Sequence, residues 1–180
     1  MAFSPDGRML ASQGRDATIN LWTVPLARRI TSLSGISPDL SALAFAPDGR
    51  LMASAGGYLV LQVWDVLNKR ELAALKGHAH PIGALSFSAD GQSIVSVDKG
   101  GSVKRWQVPR ASKMSVLQAH VEEGRAIALT PDGTILAVGG SDTIRLLEAA
   151  SGREIARFSE AGWCSRFVLA KRPLVGQRRP

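Results

Sequence analysis

His78 and His80 are the first residues whose spacing suggests chemistry, since a His-x-His pair on a strand turns both imidazoles to one face and toward one metal ion. Here the pair falls in a loop with no acid or cysteine beside it, which argues for a structural His78 rather than a metal site. Asp6, Asp48, Asp90 and Asp132 are candidate general acids or bases. Each stands in an Asp-Gly pair at a fixed interval, however, which reads as a turn former. Cys164 is a candidate nucleophile, but no histidine is adjacent and Trp163 and Phe167 flank it, as around a buried thiol. The pairs Gly56-Gly57, Gly100-Gly101 and Gly139-Gly140 lack the strand–loop–helix context and the Lys-Ser/Thr of a phosphate cradle. They read instead as turns needing positive φ. No catalytic residue, metal ligand or cofactor site is expected.

The interval between these residues shows what positions them. Phe3-Ser4-Pro5-Asp6-Gly7 recurs as Phe45-Ala46-Pro47-Asp48-Gly49, as Phe87-Ser88-Ala89-Asp90-Gly91 and as Leu129-Thr130-Pro131-Asp132-Gly133, each step being 42 residues. Trp22, Trp64 and Trp106 keep the same period, and Leu147 follows one residue early. Their phase marks the tryptophans as core rather than as a base-stacking platform. A third landmark reads Arg29-Ile30-Thr31-Ser32-Leu33, Glu71-Leu72-Ala73-Ala74-Leu75, Lys113-Met114-Ser115-Val116-Leu117 and Glu154-Ile155-Ala156-Arg157-Phe158. Three landmarks in phase over four copies define a repeat protein.

Each copy reads as four short strands. In the second, Leu43 and Phe45 lead into the Pro47-Asp48-Gly49 hairpin and a strand over Arg50–Ser54. Gly56-Gly57 then turns the chain into the β-forming run Leu59–Trp64. Glu71–Lys76 has helix-favouring residues, yet the aligned Ile30-Thr31-Ser32 and Met114-Ser115-Val116 predict a fourth strand there. Four strands in ~40–45 residues is one blade of a propeller. The predicted fold is all-β, with about four blades of four antiparallel strands. The blade units are 1–40, 41–82, 83–124 and 125–161, followed by one extra strand at 162–170 and a basic tail at 171–180.

Leu10-Ala11-Ser12, Asp16-Ala17-Thr18-Ile19-Asn20-Leu21-Trp22, Val63-Trp64-Asp65 and Leu75-Lys76-Gly77-His78 resemble WD repeats of the G-protein beta-subunit type. The resemblance covers residues 3 to about 169. It implies a buried tetrad in each ideal blade, made of a His from a Gly-His turn, a second-strand Ser or Thr, an Asp of the next turn and the third-strand Trp. Carried onto this chain, copy one keeps Ser12, Asp16 and Trp22, and copy two keeps Ser54 and Trp64 with Tyr58 in the Asp slot. Copy three keeps His78, Ser96 and Trp106 with Gly100 in that slot, and copy four keeps His120 and Asp142 with Leu147 for Trp. No copy is expected to be complete.

Propellers of this family usually close seven blades, roughly 290 residues at this period. Met1–Ser4 is only the end of an innermost strand. Two architectures fit: an open four-blade arc completed by further blades or by another chain, and a small closed ring padded by Gly162–Leu169. The break inside the innermost strand favours the arc.

Net charge is +7, but Arg166, Lys171, Arg172, Arg178 and Arg179 lie in the last twenty residues with no acid among them. A near-neutral body with a short basic tail is not the continuous basic stripe that tracks a phosphate backbone, which argues against nucleic acid as a partner. No apolar run approaches the ~20 residues of a membrane span, and the single cysteine fits a reducing, cytoplasmic setting. The resemblance implies a non-catalytic scaffold that binds another protein or peptide through the loops joining second to third strands and joining blades. Arg15, Tyr58, His80, Lys99, Glu122 and Glu123 match those loops. The repeats also resemble arrays of bacterial multidomain proteins, some kinase-linked, which implies a second reading: the regulatory or sensory part of a larger signalling protein.

Overall fold

Four Asp-Gly hairpins set the rhythm of the chain. In the first, the Ser4 hydroxyl donates to Asp6 Oδ1 at 2.6 Å, the same oxygen accepts the Arg8 N–H at 3.0 Å, and Gly7 turns the chain at φ +70°. Ser88 and Gln92 hold Asp90 in the same way, at 2.5 and 2.9 Å, and Thr130 and Thr134 hold Asp132. The hydroxyl bond, reinforced by the backbone N–H, lowers the pKa of Asp6, Asp90 and Asp132 below the ordinary carboxylate value. At Asp48, Ala46 replaces the hydroxyl and the carboxylate accepts the Arg50 N–H at 2.9 Å. Gly7, Gly49, Gly91 and Gly133 all lie at φ between +69° and +71°, a conformation that only glycine adopts without strain.

The structure, a computed structural model, describes residues 1–14, 16–34, 39–108 and 114–159. The first sheet is β1 (Ala2–Phe3), β2 (Met9–Gln13), β3 (Thr18–Thr23) and β4 (Arg29–Ser34). The second is β5 (Leu40–Phe45), β6 (Leu51–Gly56), β7 (Val60–Asp65) and β8 (Arg70–Lys76). The third is β9 (Ile82–Phe87), β10 (Ser93–Asp98), β11 (Ser102–Gln107) and β12 (Met114–His120). The fourth is β13 (Ala126–Leu129), β14 (Ile135–Gly139), β15 (Thr143–Glu148) and β16 (Glu154–Ser159). Each sheet is an antiparallel meander in chain order. The fold is all-β, and the Glu71–Lys76 segment is a strand despite its helix-favouring composition. Residues 162–170 and 171–180, read above as an extra strand and a basic tail, lie outside the described residues.

Alternation along the strands gives every blade two apolar faces. Ile19, Leu21 and Leu33 of the first blade meet Phe45, Met52 and Trp64 of the second. Leu61, Val63 and Leu75 of the second meet Phe87, Ile94 and Trp106 of the third. Val97, Val103 and Leu117 of the third meet Leu136, Val138 and Leu147 of the fourth. The innermost strands pack in chain order, β1 on β5, β5 on β9 and β9 on β13. Among the described residues, β13 makes no comparable contact with β1.

The register explains the early Leu147. Trp22, Trp64 and Trp106 stand opposite Leu10, Met52 and Ile94, and Leu147 stands opposite Leu136, the equivalent position. The missing residue is absorbed in the turn. Val97 pairs with Val103 across five residues, whereas Gly139 pairs with Ile144 across four. A one-residue slip within the strand would have turned its apolar set to the wrong face.

Candidate functional site

Strand period places Ser96 and Asp98 two residues apart on one face of β10, both facing His78 in the connection from β8 to β9. Asp98 Oδ2 lies 2.7 Å from His78 Nδ1, and His78 Nε2 lies 2.7 Å from Ser96 Oγ. Trp106 Nε1 donates to Ser96 Oγ at 2.8 Å, and Asp98 Oδ1 accepts the Ser102 N–H at 2.9 Å. One assignment satisfies every atom: Nδ1–H of a neutral imidazole donates to Asp98, and the Ser96 hydroxyl donates to Nε2 while accepting from the indole. Burial lowers the pKa of His78 and outweighs the opposing pull of Asp98.

Serine, histidine and carboxylate in this order are the parts of an activated nucleophile. Ser96 and Asp98 are completely buried, however, and His78 is 5% exposed with its ring against that of Trp106. No carbonyl carbon has a path to the hydroxyl, whose accepting side is already taken by the indole. The cluster is a polar staple. It pins the connection between the second and third blades to β10 and β11, and Lys104 Nζ adds a 2.6 Å bond to the Gly77 carbonyl beside it.

The other blades keep less of this arrangement. Ser12 and Ser54 each accept from their own tryptophan, Trp22 and Trp64, at 2.8 Å. Asp16 is exposed and accepts from the Thr18 hydroxyl at 2.7 Å, a bond that lowers its pKa. In the fourth blade Val138 stands where the serine would be, and with Leu136 and Leu147 it forms an apolar contact that leaves no indole to satisfy.

The loop end of the blades carries a cleft of about 580 Å³ lined by Ser41, Gly83, Lys99, Glu123, Gly124 and Arg125. Arg125 and Glu123 form an ion pair, and the Arg125 N–H donates to the Gly139 carbonyl at 2.9 Å. Ser41 donates to the Ile82 carbonyl. Tyr58, 65% exposed, lines a separate and smaller cleft of about 220 Å³ with Leu40, Val60 and Lys76.

A family model described as "WD domain, G-beta repeat" matches residues 1–23, 27–65, 69–107 and 111–147. The chain belongs to the WD-repeat family. Proteins built of WD repeats are typically non-catalytic scaffolds for protein–protein interaction. No curated protein matches the chain significantly.

In WD-repeat terms, one expectation is overturned: the third blade is complete. Its acid is Asp98, not a residue in the Gly100 slot, because alternation on β10 delivers a carboxylate to the histidine two residues earlier than the usual turn position does. Gly100 serves His80 instead, since a Cβ there would lie 2.1 Å from His80 Nδ1. The alternation Ser96-x-Asp98 puts both side chains on one strand face, but nothing in the sequence says that His78 lies opposite them. The fourth copy departs further, since Asp142 is exposed and His120 ends β12, its side chain lying outside the described residues.

The reading of the glycine pairs is corrected as well. Gly101 does adopt positive φ, at +86°, but Gly56, Gly100, Gly139 and Gly140 do not. Gly56 and Gly140 make room for backbone, a Cβ on them falling 2.3 Å from the Asp39 carbonyl oxygen and 2.2 Å from that of Glu122. The left-handed residue of the second blade's turn is Leu59, at φ +61°.

Of the six loop residues singled out, Lys99 and Glu123 share the larger cleft. Tyr58 stands apart from them, and His80 and Glu122 are exposed outside the cleft lining. Arg15 lies outside the described residues. Ser41, Gly83, Gly124 and Arg125 were not singled out, because they come from innermost strands and a blade connection that carry no charge pattern of their own.

Proposed function

We propose that this chain is a non-catalytic WD-repeat scaffold that receives a polar peptide segment of another protein in the cleft between its second, third and fourth blades. The observation that carries this reading is the meeting of Lys99, the Glu123–Arg125 pair and Ser41 around the close-packed backbone of Gly83 and Gly124. Such a surface offers both charge signs to an extended polar ligand. The cytoplasm is the compartment that suits a chain with one cysteine.

Lys99→Glu and Arg125→Ala, made in the full chain and tested against a captured partner, should each weaken binding by about tenfold or more, while Tyr58→Ala leaves it intact. Binding indifferent to both cleft variants would overturn the assignment of this cleft. A second reading is the regulatory or sensory part of a larger signalling protein, completed by further blades. It is favoured by the exposure of Phe3 in the first blade and Phe158 in the fourth, at positions buried in the blades between them. Nucleic-acid binding through the basic tail is the weaker alternative, and it predicts affinity that falls steeply with salt and vanishes on deleting residues 171–180.

A further inference from the structure

One short pattern recurs at the third-to-fourth strand turns of two adjacent blades: Leu26-x-Arg28-Arg29 in the first and Leu67-x-Lys69-Arg70 in the second. Both leucines stand in water, 79% and 69% exposed, and all four bases are exposed. Ile30 and Leu72, close behind them in the chain, are exposed as well. Each turn is tied to the Asp-Gly hairpin of its own blade, since the Val24 N–H donates to the Arg8 carbonyl at 2.8 Å and the Val66 N–H to the Arg50 carbonyl at 3.0 Å. The exposed Arg8 and Arg50 thereby join the same end of the blades. The two hairpins lie side by side, because a Cβ on Gly49 would stand 3.8 Å from Pro5 Cδ. The corresponding turn of the fourth blade lacks the pattern, carrying Ala150 and Gly152-Arg153.

The acids of this rim are engaged in their own blades. Asp6 and Asp48 accept from their hairpins, Asp65 accepts the N–H and the side-chain amide of Asn68 at 2.9 and 2.8 Å, and Glu71 accepts from Gln62 at 3.1 Å. Among the described residues, none of the rim's bases closes an ion pair with a carboxylate. An exposed leucine gains nothing from a phosphate backbone, and these turn tips line neither cleft described above. An apolar tip with a basic collar is what the boundary of an anionic bilayer rewards, since the acyl edge takes the leucine and acidic headgroups pair with the bases. We infer that this rim docks the chain on an anionic lipid surface. Leu26 and Leu67 enter the headgroup boundary, and Arg8, Arg28, Arg29, Arg50, Lys69 and Arg70 hold the headgroups. Docking of this kind needs no spanning segment. The peptide cleft lies at the opposite end, where Lys99 joins second to third strand, so a docked chain turns it toward water. The two surfaces share no residue, and either reading can fail without the other.

Co-sedimentation of the full chain with phosphatidylcholine vesicles, with and without about 30 mol% phosphatidylserine, reads the docking directly. Binding to the acidic vesicles should exceed binding to the neutral ones by about tenfold or more. Arg28→Glu combined with Arg70→Glu should lower it by at least about tenfold, and Leu26→Ser combined with Leu67→Ser by about fivefold. Arg153→Glu, on the same end of the fourth blade, should leave it within about twofold. Equal binding to both kinds of vesicle would overturn the inference. So would binding that survives both rim pairs, which would place the contact in the basic residues 171–180. A loss with the charge pair but none with the leucine pair would make the rim a face for a soluble acidic partner, and the lipid assignment would fail. All four substituted positions are exposed, and circular dichroism checks that the sheets are kept. Should one pair lose them, the other pair decides.

Discussion

At the scale of single residues, the three serines that accept from a tryptophan form an internal comparison. Ser96→Ala strips a partner from both the Trp106 indole and the His78 ring, each an unsatisfied buried group worth ~1–3 kcal/mol, so a loss of about 3 kcal/mol is expected. Ser54→Ala orphans only the Trp64 indole and should cost about 1–2 kcal/mol. Ser12→Ala acts on a half-buried indole that water can reach, and should cost under about 1 kcal/mol. Urea titrations of the three variants would check the order, and equal losses would contradict the staple. His78 adds a pH dependence. Its pKa is lowered in the folded chain, so the unfolded state binds the proton more readily, and stability rises with pH across the interval between the two values. The contribution is whole above the ordinary value of 6.5 and is lost as pH falls below it. The urea midpoint should therefore drop between about pH 7.5 and about pH 5.5, and His78→Gln should lower it overall while flattening the slope.

At the scale of strands and turns, glycines of identical composition carry different loads. Gly91→Ala places a methyl in ordinary contact with Pro47, so its penalty is conformational, about 1 kcal/mol from the φ of +69°. Gly83→Ala drives a Cβ to 2.1 Å from the Gly124 carbonyl oxygen, where β9 meets the connection into β13. It should cost about 3 kcal/mol or more, because backbone of two blades must part; thermal unfolding of the two variants gives the comparison. The hairpins and the four-strand blade were legible because Asp-Gly at fixed steps overrides local preference, as it did for the helix-favouring residues of β8. Asp98 was not, because the requirement is a carboxylate at one point in space, and two backbone routes reach that point from Ser96. Nor were the close approaches at Gly56 and Gly140 readable, since a glycine required for φ and one required for room look alike until the facing carbonyl is known.

At the scale of the molecule, stability should be graded along the row. The third blade is packed on both faces and holds the complete staple, whereas the first and fourth carry the exposed Phe3 and Phe158 at positions that are buried in the blades between them. Amide exchange should be slowest in β10 and β11 and faster in β2, β3, β15 and β16, and uniform protection would refute the gradient. The strand order has a further consequence, for how the chain reaches this state. Every sheet is a meander of consecutive strands, and among the described residues the main contacts between blades run to the next along the chain. Little loop closure must precede any stabilising contact, which is the condition for rapid, local formation of structure. Nucleation in one blade can then spread stepwise to its neighbours, as in other linear arrays. During synthesis the face of the first blade that carries Ile19, Leu21 and Leu33 gains its cover once the second blade has emerged, and each later blade covers the one before it. Folding that begins during synthesis would therefore advance in the direction in which the molecule is made.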